Sequence, residues 1–116
     1  MIQLTPHMKV RLHVGRTDFR NGIDGLVRMC REVLQADPFS GTMFLFKNRS
    51  STSVKILVYD SQGFWLFQKR LSEGKFRYWP KDNVTASELT AQEISVLLFN
   101  GDPRSSRMAA PWRKVG

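Results

Sequence analysis

The sequence predicts an α+β fold in which two helices pack on one face of a mainly antiparallel sheet. Three patterns support this prediction: an alternating segment near the N-terminus, a helical apolar stripe after it, and a series of short strands separated by turns. The predicted order is β-α-β-β-β-β-α, with one N-terminal strand and a four-stranded meander. With 116 residues, 41% of them hydrophobic and 24% charged, the chain suits one domain with its own core.

The N-terminal strand is predicted from strict alternation over residues 7–14. One face of this strand carries polar and basic residues, and the other carries apolar residues. We therefore expect one solvated, basic face, formed by His7, Lys9, Arg11 and His13.

The first helix is predicted from apolar residues spaced three and four apart. This stripe consists of Ile23, Leu26, Val27, Cys30, Val33 and Leu34. Asn21 or Asp18 is expected to cap its first turn, and Asp37 with Pro38 closes it. Gly22 and Gly25 are unfavourable in a first turn, so either the helix begins later or another group approaches its backbone closely.

The meander is predicted from four short apolar segments separated by turn residues. These segments are residues 43–46, which we expect to form a central strand, and residues 54–59, 64–70 and 76–79. A second helix follows, with Thr90 as its N-cap and Glu93 completing a capping box. Its apolar residues extend up to Gly101.

Residues 1–102 are expected to form the single domain, and residues 103–116 a basic, flexible tail. The single cysteine, Cys30, lies in the apolar stripe of the first helix, which indicates a buried structural thiol and a reducing compartment. No window approaches the 18 or so apolar residues of a membrane span. The sequence therefore predicts a cytoplasmic protein.

Basic residues are concentrated in one region of the chain. Residues 43–81 contain eight Lys or Arg against only Asp60 and Glu73, whereas residues 82–102 contain four acids and no Lys or Arg. Such clustering favours a polyanionic partner, because cations release counterions from phosphates and aromatic rings stack on unpaired bases. We expect nucleic-acid contacts from Arg20, Lys47, Arg49, Lys55, Lys69, Arg70, Lys75 and Arg77, with aromatic contacts from Tyr59, Trp65 and Phe67.

Two alternatives stand beside these assignments. The aromatic residues of the meander can be core residues, as most aromatic residues in strands are. Arg20 can receive a phosphate together with backbone amides at the start of the helix, or it can pair with Asp18 or Asp24. The sequence leaves both questions open.

The sequence does not predict a catalytic or metal site. Its carboxylates at Asp18, Asp24, Asp60 and Glu73 are too scattered for a two-metal cluster, and each suits a turn or a cap. His7 and His13 are spaced wrongly for a compact zinc site. A small basic ribonuclease remains an alternative, and no cofactor is expected.

One long string of residues is specific to a known family. It starts with residues 18–26, Asp-Phe-Arg-Asn-Gly-Ile-Asp-Gly-Leu, and continues with residues 37–41, Asp-Pro-Phe-Ser-Gly. Further matching positions are Phe44, Phe46, Asn48, Arg49, residues 55–57, Asp60, Gly63, Phe64, residues 69–71, Gly74 and Phe76. With this string the chain resembles the small accessory protein encoded by the second reading frame of bacterial insertion-sequence-66 transposable elements, often called TnpB.

The resemblance covers about residues 18–101 and implies a cytoplasmic bacterial protein made beside a separate, larger transposase. It implies a role in efficient transposition, but it supplies no catalytic residues. Two hypotheses follow: a non-enzymatic factor that binds DNA, or a protein adaptor that docks on the transposase or on a second copy of itself.

Overall fold

In the described part of the chain, five strands form one sheet, and two helices accompany it. The structure, a computed structural model, describes residues 9–80 and 86–99. Along the chain its elements are β1 (Val10–Arg16), α1 (Ile23–Glu32), β2 (Met43–Lys47), β3 (Ser53–Tyr59), β4 (Phe64–Arg70), β5 (Ala86–Leu89) and α2 (Ala91–Leu98). The strand order across the sheet is β4-β3-β2-β1-β5. The predicted α+β class is confirmed, and β2 is the central strand, as expected.

The sheet is mixed rather than antiparallel throughout. Strands β2, β3 and β4 form an antiparallel meander, but β1 and β2 are parallel neighbours, with Val10 paired to Met43 and Leu12 to Leu45. Parallel neighbours need a crossover connection, and α1 lies in the segment that joins them. Alternation identified β1 as a strand, but it carries no information about strand direction.

The predicted fourth strand of the meander, residues 76–79, is wrong. Phe76 and Trp79 are buried in the core without forming a strand. The Trp79 indole N–H donates to His13 O at 2.9 Å, and the Phe76 amide donates to Ser51 O at 2.8 Å. The fifth strand is instead β5, which pairs antiparallel with β1. Apolar aromatic residues suit core packing as well as a strand, so composition alone does not separate the two.

The helices contribute to two separate clusters of buried residues, on opposite faces of the sheet. Next to α1, the first cluster contains Leu26, Cys30, Leu34, Phe44, Phe46 and Leu57. Next to α2, the second contains Ile94 and Leu97 with Val10, Leu12, Met43, Leu45, Val54, Ile56, Phe76 and Trp79. We call these faces the α1 side and the α2 side. The expectation of both helices on one face is therefore wrong. Strand β2 is apolar on both sides because both are covered.

The predicted solvated face of the first strand is wrong for Arg11 and His13, whereas Lys9, directly before the strand, is exposed. Strand β1 lies between β2 and β5, and Arg11 pairs with Phe44, so the face that carries Arg11 and His13 lies on the α1 side. His13 is only 7% exposed, and its ring stacks on Phe46 with 6.2 Å between centroids. Arg11 is half-buried. Burial lowers the pKa of His13. His7 lies outside the described residues.

The two helices begin differently. Gly22 is the N-cap of α1 and no side chain caps this helix, so the predicted caps Asn21 and Asp18 are wrong. In α2, Thr90 and Glu93 form the predicted capping box, with the Glu93 amide donating to Thr90 Oγ1 at 3.1 Å. Neither described helix has the length and apolar character required to cross a membrane. Residues 103–116, predicted as a tail, lie outside the described residues.

Candidate nucleic-acid interface

Most of the cations predicted to contact nucleic acid meet at one end of the sheet rather than along one face. Parallel strands β1 and β2 end there at Arg16 and Lys47, and β4 ends beside them at Arg70, opposite Ser53. The segment after β4 stays close, because the Phe76 amide donates to Ser51 O. We call this region the basic end; it contains Arg16, Arg20, Lys47, Arg49, Arg70, Lys75 and Arg77.

A cleft of about 650 Å³ opens within the basic end. It separates the loop after β1 from the loop between β2 and β3. Its lining residues are Arg16, Thr17, Asp18, Phe19, Arg20, Asn48, Arg49 and Ser50. Three arginines and one aspartate thus line the cleft, which gives it a net positive charge. We call it the arginine cleft.

The first wall of the cleft is the loop of residues 17–22. Its start is tied to the sheet, because the Thr17 amide donates to Lys47 O at 2.9 Å. Asp18 accepts hydrogen bonds from the Arg20 amide at 2.9 Å and from Arg20 Nη2 at 2.6 Å. These bonds with Arg20 lower the pKa of Asp18 to about 2. The alternative pairing of Arg20 with Asp18 is therefore present, and it fixes the direction of an exposed guanidinium.

The Asp18–Arg20 pair does not occupy all the N–H donors of Arg20. The side chain of Arg20 remains 91% exposed while that of Asp18 is 49% exposed. A guanidinium has five N–H donors, so the pair leaves donors of Arg20 directed to solvent. A phosphate can bind these donors without displacing Asp18.

A close contact explains Gly25 in the first helix. A Cβ atom at Gly25 would lie 2.3 Å from Asn21 Oδ1, so the side chain of Asn21 occupies the space that a larger residue needs. Asn21 Nδ2 in turn donates to Asp18 O at 3.0 Å. The expectation that a group approaches the helix backbone closely is confirmed here, and Asn21 is that group.

The second wall is the loop between β2 and β3, which Asn48 holds in place. Asn48 Oδ1 accepts from the amides of Thr52 at 2.9 Å and Ser53 at 3.1 Å. Ser51 adopts a left-handed backbone with φ of 59°. Between them, Arg49 and Ser50 are exposed. A loop with these internal bonds presents Arg49 to the cleft from a defined position.

The predicted single face of cations and aromatic residues does not exist. Lys55 pairs with Gln68 across the β3–β4 hairpin, whereas Lys69 pairs with Val54. Paired residues share a side of a sheet, so Lys55 lies on the α1 side and Lys69 on the α2 side. The register of the hairpin, which strand sequences alone do not fix, separates them.

Both lysines bind backbone carbonyls. Lys55 is 8% exposed, and its Nζ donates to Phe19 O and Asn21 O, each at 2.9 Å. Lys69 Nζ donates to Leu98 O at the end of α2, and burial lowers the pKa of Lys69. Neither ammonium belongs to the lining of the arginine cleft.

The three predicted aromatic contacts are also divided. Tyr59 lies on the α1 side and packs against Phe39, with ring centroids 4.9 Å apart. Trp65 and Phe67 lie on the α2 side, stacked with 5.8 Å between centroids and 12° between planes. Trp65 is 54% exposed, and Phe99 at the end of α2 is 59% exposed. We call Trp65, Phe67 and Phe99 the aromatic patch.

Sequence reasoning found Arg20 and Arg49 but missed Arg16, Thr17, Asn48 and Ser50 in the cleft. Arg16 was missed because the predicted strand ended before it. Its position directly before the family-specific string was the available signal.

Across residues 9–80 and 86–99, no three His, Cys, Asp or Glu side chains come together to hold a metal ion.

Comparison with known proteins gives one family. The family model described as IS66 Orf2 like protein matches residues 8–107. The chain is 35% identical over 118 residues to uncharacterized protein y4hO of Sinorhizobium fredii (strain NBRC 101917 / NGR234), covering 100% of both chains. It is 31% identical over 103 residues to uncharacterized protein y4jC of the same organism, covering 88% of this chain and 86% of that protein. No solved structure matches.

Proposed function

Because this chain belongs to the IS66 Orf2-like family, we propose that it is a non-enzymatic accessory factor of IS66-type transposition that binds DNA through its basic end. The family supports the transposition role, and the arginine cleft supports the mode of binding. The transposase encoded by the same element is the natural protein partner in such a system.

The observation that carries this proposal is the composition of the arginine cleft. Three arginines line it against the single carboxylate of Asp18. Guanidinium groups bind phosphate oxygens through paired hydrogen bonds, and the polar residues Asn48 and Ser50 line the same cleft. The set therefore suits phosphate recognition.

Two backbone features support a site for an anion at the basic end. The cleft lies at the carboxyl ends of the parallel strands β1 and β2, a common position for ligand sites in sheets with crossover helices. The loop of residues 17–22 leads directly into α1, whose N-terminal dipole is positive. The strand ends thus give the cleft its place, and the helix dipole and the arginines favour an anionic partner there.

We expect the affinity for DNA to fall steeply with salt. If the three cleft arginines each neutralise one phosphate of duplex DNA, they contribute about −2.7 to the slope of log K against log salt. Arg49→Gln should reduce the magnitude of this slope by about 0.9 and weaken binding to all sequences alike. Fluorescence anisotropy with labelled duplex and single-stranded DNA, over a series of KCl concentrations, measures both quantities.

Arg28→Gln provides the matched control. Arg28 is exposed on α1 and does not line the cleft. The control should leave the slope near the wild-type value. A flat salt response of the wild-type protein, or equal effects of Arg28→Gln and Arg49→Gln, would contradict the proposal.

The aromatic patch favours a second candidate function, that of a protein adaptor. Exposed aromatic side chains are common at the centres of protein interfaces. Trp65 is held in place, since its indole N–H donates to Asp60 Oδ2 at 2.6 Å. Co-purification with the transposase, together with no DNA binding at physiological salt, would favour the adaptor. Sedimentation tests self-association, because the adaptor hypothesis includes a second copy of the chain as a partner for this patch.

A further inference from the structure

We infer that Lys55 is a positioning residue for the arginine cleft, which holds Arg20 in place from beneath and does not itself contact phosphate. This inference rests on the proposed function, because it concerns how the same cleft binds DNA. It reassigns a lysine for which the sequence predicted a direct nucleic-acid contact.

The contacts of Lys55 point to this role. Its ammonium group donates to the carbonyl oxygens of Phe19 and Asn21, both at 2.9 Å. These are the residues immediately before and after Arg20. The ammonium group also lies 4.9 Å from the centroid of the Phe19 ring. Lys55 therefore binds the backbone immediately before and after Arg20, the arginine of this loop that lines the cleft.

Burial excludes a direct contact in this conformation. Lys55 is 8% exposed and lies on the α1 side of the sheet, under the loop of residues 17–22. Arg20, by contrast, has a side chain that is 91% exposed. A phosphate in the cleft reaches Arg20 without reaching Lys55.

The loop is thus fixed at two levels. Asp18 binds the guanidinium of Arg20 and sets its direction, whereas Lys55 binds the neighbouring carbonyls and sets the path of the backbone. A group that is already ordered loses less conformational entropy when a ligand binds. Removing the ammonium group of Lys55 should free the loop and weaken DNA binding through Arg20.

Lys69 offers a matched comparison within the same protein. Its ammonium group also donates to a backbone carbonyl, that of Leu98, and lies 5.0 Å from the centroid of the Phe99 ring. Lys69 is on the α2 side and holds the end of α2, away from the cleft. Lys69→Met therefore removes the same kind of anchor without touching the arginine loop.

The test is a double-mutant cycle on DNA affinity. Lys55→Met should weaken binding about tenfold in the wild-type background and have almost no effect in an Arg20→Gln background, because Lys55 acts through Arg20. Arg49 lies on the opposite wall, so the effects of Lys55→Met and Arg49→Gln on DNA affinity should add. Lys69→Met should leave affinity unchanged. Equal effects of Lys55→Met with and without Arg20 would overturn the inference, as would unchanged affinity of Lys55→Met in the wild-type background.

Lysine acetylation of the wild-type protein, read by mass spectrometry, tests the inference even if Lys55→Met fails to fold. A buried positioning lysine should react slowly both in the free protein and in the DNA complex. If Lys55 is acetylated rapidly in the free protein and DNA suppresses this reaction, Lys55 contacts phosphate directly and the inference is overturned.

The two proposals fail in different ways. If the wild-type protein does not bind DNA, both the proposed function and this inference are wrong. If Arg49→Gln weakens DNA binding but the effects of Lys55→Met and Arg20→Gln on affinity simply add, only the inference is wrong.

Discussion

At the scale of single residues, polar side chains in this protein position the backbone of the loops around the cleft. Asn48 holds the second wall through two amides, and Asn21 packs over Gly25 at the start of α1. Lys55 holds the first wall through two carbonyls. Each of these groups satisfies backbone atoms that a loop would otherwise leave to water. The exposed arginines owe their positions to these less exposed neighbours.

Asp18 provides a prediction at this scale. Its hydrogen bonds with Arg20 lower its pKa from 3.8 to about 2. Because the folded-state pKa is lowered, the stabilisation from this pair is present above the ordinary carboxyl pKa and is lost as the pH falls through about 2. A ¹³C NMR titration of the Asp18 carboxyl carbon should show this low midpoint.

Arg20→Gln should return the Asp18 midpoint towards 3.8, since Arg20 is its main partner. Asp60 is the internal control. Its pKa is also lowered, by bonds from Trp65, Gln62 and Gly63, so Arg20→Gln should leave it unchanged. A low Asp18 midpoint that persists in Arg20→Gln would show that another group sets it.

At the scale of elements, the two helices are stabilised by different means. Helix α1 has no side-chain cap, and Leu26 and Cys30 bury its apolar stripe against the sheet. Helix α2 is shorter, with the capping box at its start and Lys69 bound to Leu98 O near its end. Short helices are marginal in water, so α2 depends on its termini as well as on its packing.

Thr90→Ala should therefore destabilise the protein by about 1 kcal/mol, because it removes the hydroxyl that accepts from the Glu93 amide. Urea unfolding followed by far-UV circular dichroism measures the change. Thr90→Ser keeps the hydroxyl and should retain most of the stability. Equal losses in the two variants would mean that the methyl group of Thr90, rather than its cap, is responsible.

At the scale of the whole molecule, one sheet separates two cores. Strand β2 supplies both, with Phe44 and Phe46 on the α1 side and Met43 and Leu45 on the α2 side. All four of these side chains are buried. Because the backbone of β2 supports both cores, loss of packing on one side of the sheet should also weaken the packing on the other side.

Leu26→Ala on the α1 side and Ile94→Ala on the α2 side should each cost about 2 to 5 kcal/mol of unfolding free energy. Both residues are 0% exposed. Each variant should still unfold in one transition, with tryptophan fluorescence and circular dichroism coinciding. Separate transitions in Ile94→Ala would show that α2 unfolds independently of the sheet.

Much of the local structure and the family could be predicted from the sequence. Strand β4 has its predicted bounds, and the capping box of α2 is present. Of the predicted stripe, Leu26 and Cys30 are buried on α1, whereas Ile23 and Val33 are exposed. Cys30 is buried as expected, and burial raises its pKa to about 12. These features depend on periodicity, side-chain polarity and short-range hydrogen bonds, all of which neighbouring residues encode. Arg20 and Arg49, predicted from the unusual helix start and from the clustering of basic residues, both line the arginine cleft.

The tertiary structure alone decided the direction of β1 against β2, the side of the sheet that each helix covers, and the pairing of β5 with β1. It also decided which of the predicted residues lie together in the candidate site. Lys55 and Lys69 diverge because hairpin register sets the side on which each residue lies, whereas Arg16, Arg20 and Arg49 converge because two loops leave the same end of the sheet. Periodicity shows which residues share a face of one element. It does not show which elements meet, because that choice depends on contacts between residues far apart in the chain.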